Sequence, residues 1–171
     1  MCWSPPSCAL PLGNAGNHTI AARRMGCAMN RIEFHRLAEL RLEEAKALLA
    51  ARFPEGAYYL AGYAVERALK ACIARKTQEH DFPDKKLVDK SYTHDVGKLI
   101  DAAGLSLLLS AAISENAGME PNWNTVREWS EQSRYDLFDG SRAESMKEAQ
   151  MLILAIESAH DGVLQWIKKH W

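Results

Sequence analysis

Hydrophobic residues recur at helical spacing along most of the chain, and the most regular stretch is GAYYLAGYAVERALKACI at positions 56–73. Tyr58, Ala61, Val65, Ala68, Leu69 and Cys72 share one face, while Leu60, Ala64 and Ala71 add a second apolar row. This pattern predicts a helix running on to Lys76 and covered by neighbours on more than one side. Gly62 and the alanines keep its surface low, so another helix backbone can approach closely. Its polar row is Tyr59, Tyr63, Glu66 and Lys70, which is either a solvated seam or the edge of a binding cleft. Glu66 and Lys70 stand i,i+4 in the favourable order, worth about 0.2–0.5 kcal/mol if exposed.

The same period organises the flanks. Positions 30–52 form a first helix with Phe34, Leu37, Ala38, Ala45, Leu48 and Leu49 inward, ended by Pro54 and Gly56. The short connection favours an antiparallel neighbour. Positions 77–92 are polar and charged around Pro83 and read as a loop. Thr93 is placed to cap a short helix over 94–103 that Gly104 terminates, and Ser106 to open another over 107–116, stopped near Gly118 and Pro121. The patterns T-V-R-E at Thr125–Glu128 and S-R-A-E at Ser141–Glu144 are capping boxes. The second leads a last long helix whose stripe is Ala149, Leu152, Ile153, Ile156, His160, Val163 and Ile167. No segment alternates like a strand for more than a few residues. The fold class is all-α, an up-and-down bundle of four main helices with short extra ones.

Composition narrows this picture. The 171 residues, 47% hydrophobic, suit one domain with a substantial core. A net charge of −1 argues against a strongly basic nucleic-acid surface. No apolar run reaches the roughly 18 residues of a membrane span. Residues 1–28 hold no Asp or Glu, three of the four cysteines and no helical period. They are expected to be a disordered or artefactual extension, with the domain spanning 29–171. Cys72 reads as a small buried hydrophobe, and the cysteine spacings form neither a disulfide framework nor a zinc pair. Cytoplasmic residence without membrane attachment is the expectation.

Candidate chemistry is sparse. Gly-rich phosphate loops and the CxxC, HExxH and GxSxG patterns are absent, and no metal site or cofactor is expected. His80–Asp81 and His94–Asp95 are adjacent pairs whose side chains diverge on a helix. Trp123, Arg127, Trp129 and Arg134 fall within a short span, suited to an anion or a base by charge and stacking. The structural alternative is that the tryptophans anchor the core and Arg127 caps a helix. Arg134, Tyr135 and Asp136 sit in a turn. His160 lies on an apolar stripe and reads as a core histidine, His94 as a cap or staple, and the Arg75…His80 spacing as coincidence.

Three segments in order, AYYLAGYAVERALKACIA, THDVGKLID and SRYD, resemble a HEPN domain, the higher eukaryotes and prokaryotes nucleotide-binding family. The resemblance rests on Ala61, Val65, Glu66, Ala68, Leu69, Lys70 and Ala71, then Thr93, His94, Asp95 and Leu99, then Arg134 and Tyr135. It implies a four-to-five-helix bundle that commonly dimerises. Many members are metal-independent ribonuclease toxins paired with a small nucleotidyltransferase antitoxin. Those enzymes share an Arg-x4–6-His motif, in which Arg binds the scissile phosphate and His moves the proton. Here Arg134 stands in that region, but Asp139, Gly140 and Ser141 occupy the places of the histidine.

The expectation is therefore a non-catalytic module that binds a nucleotide, an RNA end or a partner protein. No catalytic residue is assigned. Arg134, Tyr135 and Asp136 would contact the ligand across a cleft walled by Tyr63, Glu66 and Lys70, with His94 nearby. Partners would be a second copy or a minimal nucleotidyltransferase. The alternatives are a divergent ribonuclease using His94 or His160, and a purely structural dimerisation domain.

Overall fold

The computed structural model describes residues 29–77, 84–135 and 141–171. The expected extension at 1–28, and His80, Asp136, Asp139 and Gly140, lie outside the described residues. Helix α1, Arg31–Ala50, opens on a capping box: Asn30 Oδ1 accepts from the Glu33 amide at 3.0 Å, and Glu33 returns the bond to the Asn30 amide at 2.9 Å. Arg52, in the left-handed region with φ 64°, turns the chain, and Pro54 occupies the first position of α2, Pro54–Arg75, where its missing N–H costs nothing. Ala38 and Ala45 of α1 and Ala57, Ala61, Ala64 and Ala68 of α2 are completely buried, so this hairpin is packed through small side chains.

Helix α2 is the central element. Val65, Leu69, Ala71 and Cys72 are also buried, and later elements pack on its other faces while Tyr58, Leu60 and Arg67 stay partly exposed. Gly62 does admit a close neighbour, but it is the indole of Trp129 rather than a helix backbone: a Cβ there would lie 2.1 Å from that ring.

The segment expected as a loop contains α3, Lys85–Ser91, capped by Asp84. Helix α4, Val96–Ala103, is capped by Asp95 and not by Thr93. Asp95 Oδ1 accepts from the Lys98 amide at 3.0 Å, while Thr93 Oγ1 accepts from the Asp95 amide one step upstream. That amide bond holds the Asp95 carboxyl below the usual carboxylate range. Gly104 ends α4 as expected, at φ 69°.

Helix α5 spans Ser106–Glu115, and α6 spans Met119–Arg127. Pro121 therefore lies inside the first turn of a helix instead of stopping one. Thr125 is not a cap, because the Glu128 amide is already bonded to Asn124 within α6; the Thr125 hydroxyl donates to the Pro121 carbonyl. A 3-10 turn, Glu131–Tyr135, follows.

Helix α7, Arg142–Glu157, begins at the expected Ser141–Glu144 capping box. The last helix is not continuous. The backbone leaves the helix at Ser158, whose hydroxyl bonds the Asp161 carboxylate, and α8, Val163–Ile167, starts afresh. His160 falls in the break and is exposed, so it is no core histidine.

The protein is an all-α bundle, up-and-down in topology. Arg142 at the start of α7 donates to the Arg52 carbonyl at the α1–α2 corner, and Asn122 of α6 donates to the Asp161 carbonyl at the far end of α7. The climbing leg between α2 and α7 is shared by short helices rather than one long one. Among the described residues no single helix is long and apolar enough to cross a membrane.

Candidate functional site

Glu66 is a carboxylate with no exposed surface at the middle of α2. Leaving it unpaired there would cost several kcal/mol. Its Oε1 lies 2.9 Å from Lys70 Nζ and 3.6 Å from the Arg67 guanidinium, and its Oε2 lies 2.8 Å from His94 Nδ1. The other ring nitrogen of His94 lies 2.9 Å from Glu131 Oε2. The row Lys70–Glu66–His94–Glu131 thus ties α2 to the start of α4 and to the 3-10 turn. As placed, both ring nitrogens of His94 stand against carboxylates, and the ring clamps the start of α4 to α2 and the 3-10 turn.

Aromatic contacts complete the brace. Tyr63 meets Trp129 edge-on at 5.4 Å, and Tyr59 at 4.9 Å. The guanidinium of Arg67 lies 5.3 Å above the Tyr63 ring. Burial first, then its contact with the Tyr59 hydroxyl and the Glu66 charge, push the Tyr63 phenol above the usual tyrosine range. Tyr59, Tyr63 and Arg67, four residues apart, form a ladder along α2.

Past His94 and Glu131 opens a cleft of about 1090 Å³ between α4 and α5 on one side and α6 and the 3-10 turn on the other. Of the expected ligand contacts among the described residues, His94 alone lines it. Trp123, Arg127 and Trp129, from the Trp/Arg segment, line it too. Both tryptophans are almost wholly buried, which fits their reading as anchors, while Arg127 is exposed.

Glu66 reaches a ligand in that cleft only through His94, and Tyr63 and Lys70 stand behind it. Arg134 and Tyr135 lie at the end of the 3-10 turn, both exposed, with the guanidinium 4.7 Å above the Tyr135 ring. Tyr59 interacts with Arg134, which joins this pair to the α2 ladder. The expected residues therefore divide between a buried brace and an exposed cation–aromatic edge.

Glu131 and Arg67 were not foreseen. No local pattern marks Glu131 as the second carboxylate on His94, whereas the i,i+4 spacing from Tyr63 could have identified Arg67. Among the described residues no group of three His, Cys, Asp or Glu side chains could hold a metal ion.

No curated protein and no solved structure matches this chain. A family model described as the HEPN domain matches residues 33–169. That span runs from the first turn of α1 to beyond α8 and includes the brace, the cleft and the Arg134–Tyr135 edge; the chain belongs to the HEPN domain family.

Proposed function

We propose that this HEPN protein is a non-catalytic binding module that takes a nucleotide or an RNA end at the Arg134–Tyr135 edge. The observation that carries this reading is the exposed guanidinium of Arg134 over the exposed Tyr135 ring, backed by Tyr59. An exposed arginine suits a phosphate, and an adjacent aromatic face suits a base. Tyr63, Glu66, Lys70 and His94 hold that edge in place by fixing the 3-10 turn to α2. Two features support a non-catalytic role: the motif histidine is replaced at Asp139–Ser141, and His94 has both ring nitrogens committed to carboxylates.

The module pairs with a second copy of itself or with a minimal nucleotidyltransferase. Leu40 of α1 and Met151 and Leu154 of α7 remain about half exposed and offer an apolar face for such pairing.

The test is thermal unfolding of the full chain with AMP, ATP or a short single-stranded RNA. A ligand at 100 times its Kd stabilises by about 2.7 kcal/mol, which raises Tm by a few degrees. At least one of these probes is expected to raise Tm, and Arg134→Ala to abolish the rise. Absence of any shift, or metal-free RNA cleavage that Arg134→Ala removes, would refute this reading.

A further inference from the structure

Residues 168–171 follow α8 and close over the start of α1. Trp171 stacks on His35 of α1 with ring centroids 4.1 Å apart. Lys168 pairs with Glu39 of α1 at 2.8 Å and lies 5.7 Å from the Trp171 ring. Arg75, at the end of α2, donates to the His170 carbonyl at 3.0 Å, and the His170 ring meets Trp166 edge-on at 4.8 Å. Leu164 and Ile167 are wholly buried and anchor α8 without help from this tail.

The arrangement suits a neutral His35. Its Nε2 is sealed from solvent and has no hydrogen-bond partner among the described residues. A neutral ring can carry its proton on Nδ1 and leave a lone pair at Nε2. A second proton puts an N–H there, and a buried donor without an acceptor is costly.

The added charge is no better placed. Arg31 acts on the ring from α1, and Lys168 already sits over the indole on which His35 stacks. Glu39, the carboxylate that would favour the proton, is engaged by Lys168. Burial first, then Arg31, hold the His35 imidazole below the usual histidine range. Burial, Lys169 and Arg75 act on His170 in the same direction.

We infer that the tail from Lys168 to Trp171 is a pH-sensitive latch, docked on α1 while His35 is neutral and released when the ring takes its second proton. Release gives Nε2–H access to water, uncovers the Trp171 indole and frees Arg75 from the His170 carbonyl. The latch lies at the other end of α2 from Tyr59 and the Arg134 edge, and does not depend on the nucleotide reading. The released ring titrates near the ordinary value of about 6.5 and the docked ring lower. Docking is therefore complete above that value and weakens by up to about tenfold per pH unit below it.

The experiment is hydrogen exchange of the full chain at about pH 7.5 and about pH 5.5, read by mass spectrometry and corrected for the intrinsic pH dependence of exchange. The amides of Lys168, Lys169 and His170, which bond to Leu164, Trp166 and Ile167, report docking. They are expected to lose protection severalfold at the lower pH, approaching tenfold, while α2 keeps its protection. His35→Phe retains an aromatic ring against Trp171 but takes no proton, and should keep the tail protected at both pH values. Trp171→Ala should leave the tail unprotected at both. Full protection of the unmodified tail at the lower pH would overturn the proposal. So would an undiminished pH response in His35→Phe, a tail that stays protected in Trp171→Ala, or a parallel loss in α2, which would mark general acid unfolding.

Discussion

Glu66 sits where α2 is most enclosed, yet it is the residue on which three basic side chains, Arg67, Lys70 and His94, converge. An exposed i,i+4 pair would contribute only tenths of a kcal/mol. With the carboxylate fully buried, removing it strips Lys70 and His94 of a partner and leaves a void. Glu66→Ala is expected to cost about 2–4 kcal/mol, read as a shift of the urea midpoint with unchanged slope. Lys70 is 14% exposed and can turn to water, so Lys70→Met should cost less than Glu66→Ala. Equal loss in the two variants would mean that burial of the carboxylate is not what matters. The sequence marks Glu66 and Lys70 as partners because helical spacing is local. It cannot mark His94 and Glu131, because their approach is set by how α4 and the 3-10 turn are packed.

At the level of the helices, local signals and long-range packing part company in a consistent way. The α1–α2 hairpin, the Gly104 stop and the Ser141–Glu144 box were all legible, since each is decided within one or two turns of chain. Thr125 carries the same box pattern and is no cap, because the helix already under way through Trp123 and Val126 claims the amides it would need. The single-helix reading of the C-terminus failed for a related reason. Its apolar stripe continues unbroken through His160, while the Ser158–Asp161 bond that ends α7 has no hydrophobic signature.

Gly62 shows packing deciding a residue type outright. A valine there would drive into the Trp129 ring, so Gly62→Val is expected to destabilise by about 2–4 kcal/mol or to expel the indole. Near-ultraviolet circular dichroism, which reads the asymmetry around buried aromatic rings, should lose intensity. An unchanged spectrum and an unchanged Tm would show that Trp129 can seat elsewhere.

Over the whole molecule, the core encloses the thiol of Cys72. Burial pushes that thiol up to about 11. At pH 8 the thiolate fraction is then about one in a thousand, against roughly a quarter for an ordinary cysteine. Iodoacetamide at pH 8 should leave the Cys72 peptide unmodified until denaturant unfolds the bundle, and reactivity should rise only as pH approaches 11. Rapid labelling in native buffer would mean that α2 opens readily, contrary to its central position. The all-α class and the family were legible at this scale because they depend on pattern and order. The cleft was not, since it arises when residues from four elements are brought together.

The insertion of Trp129 over Gly62 also has a kinetic meaning. The α1–α2 hairpin is built from contacts close in sequence and can form early, whereas the indole must return across four intervening helices to reach its seat. Pairings of high sequence separation are slow to form, and short segments outside the long helices open at lower cost than the core. The rear wall of the cleft and the 3-10 turn carrying Arg134 are therefore the part of the bundle that closes last. Amides from Trp129 to Tyr135 should exchange with solvent well before those of α2, and the Arg134 edge would ride on this late-docking segment.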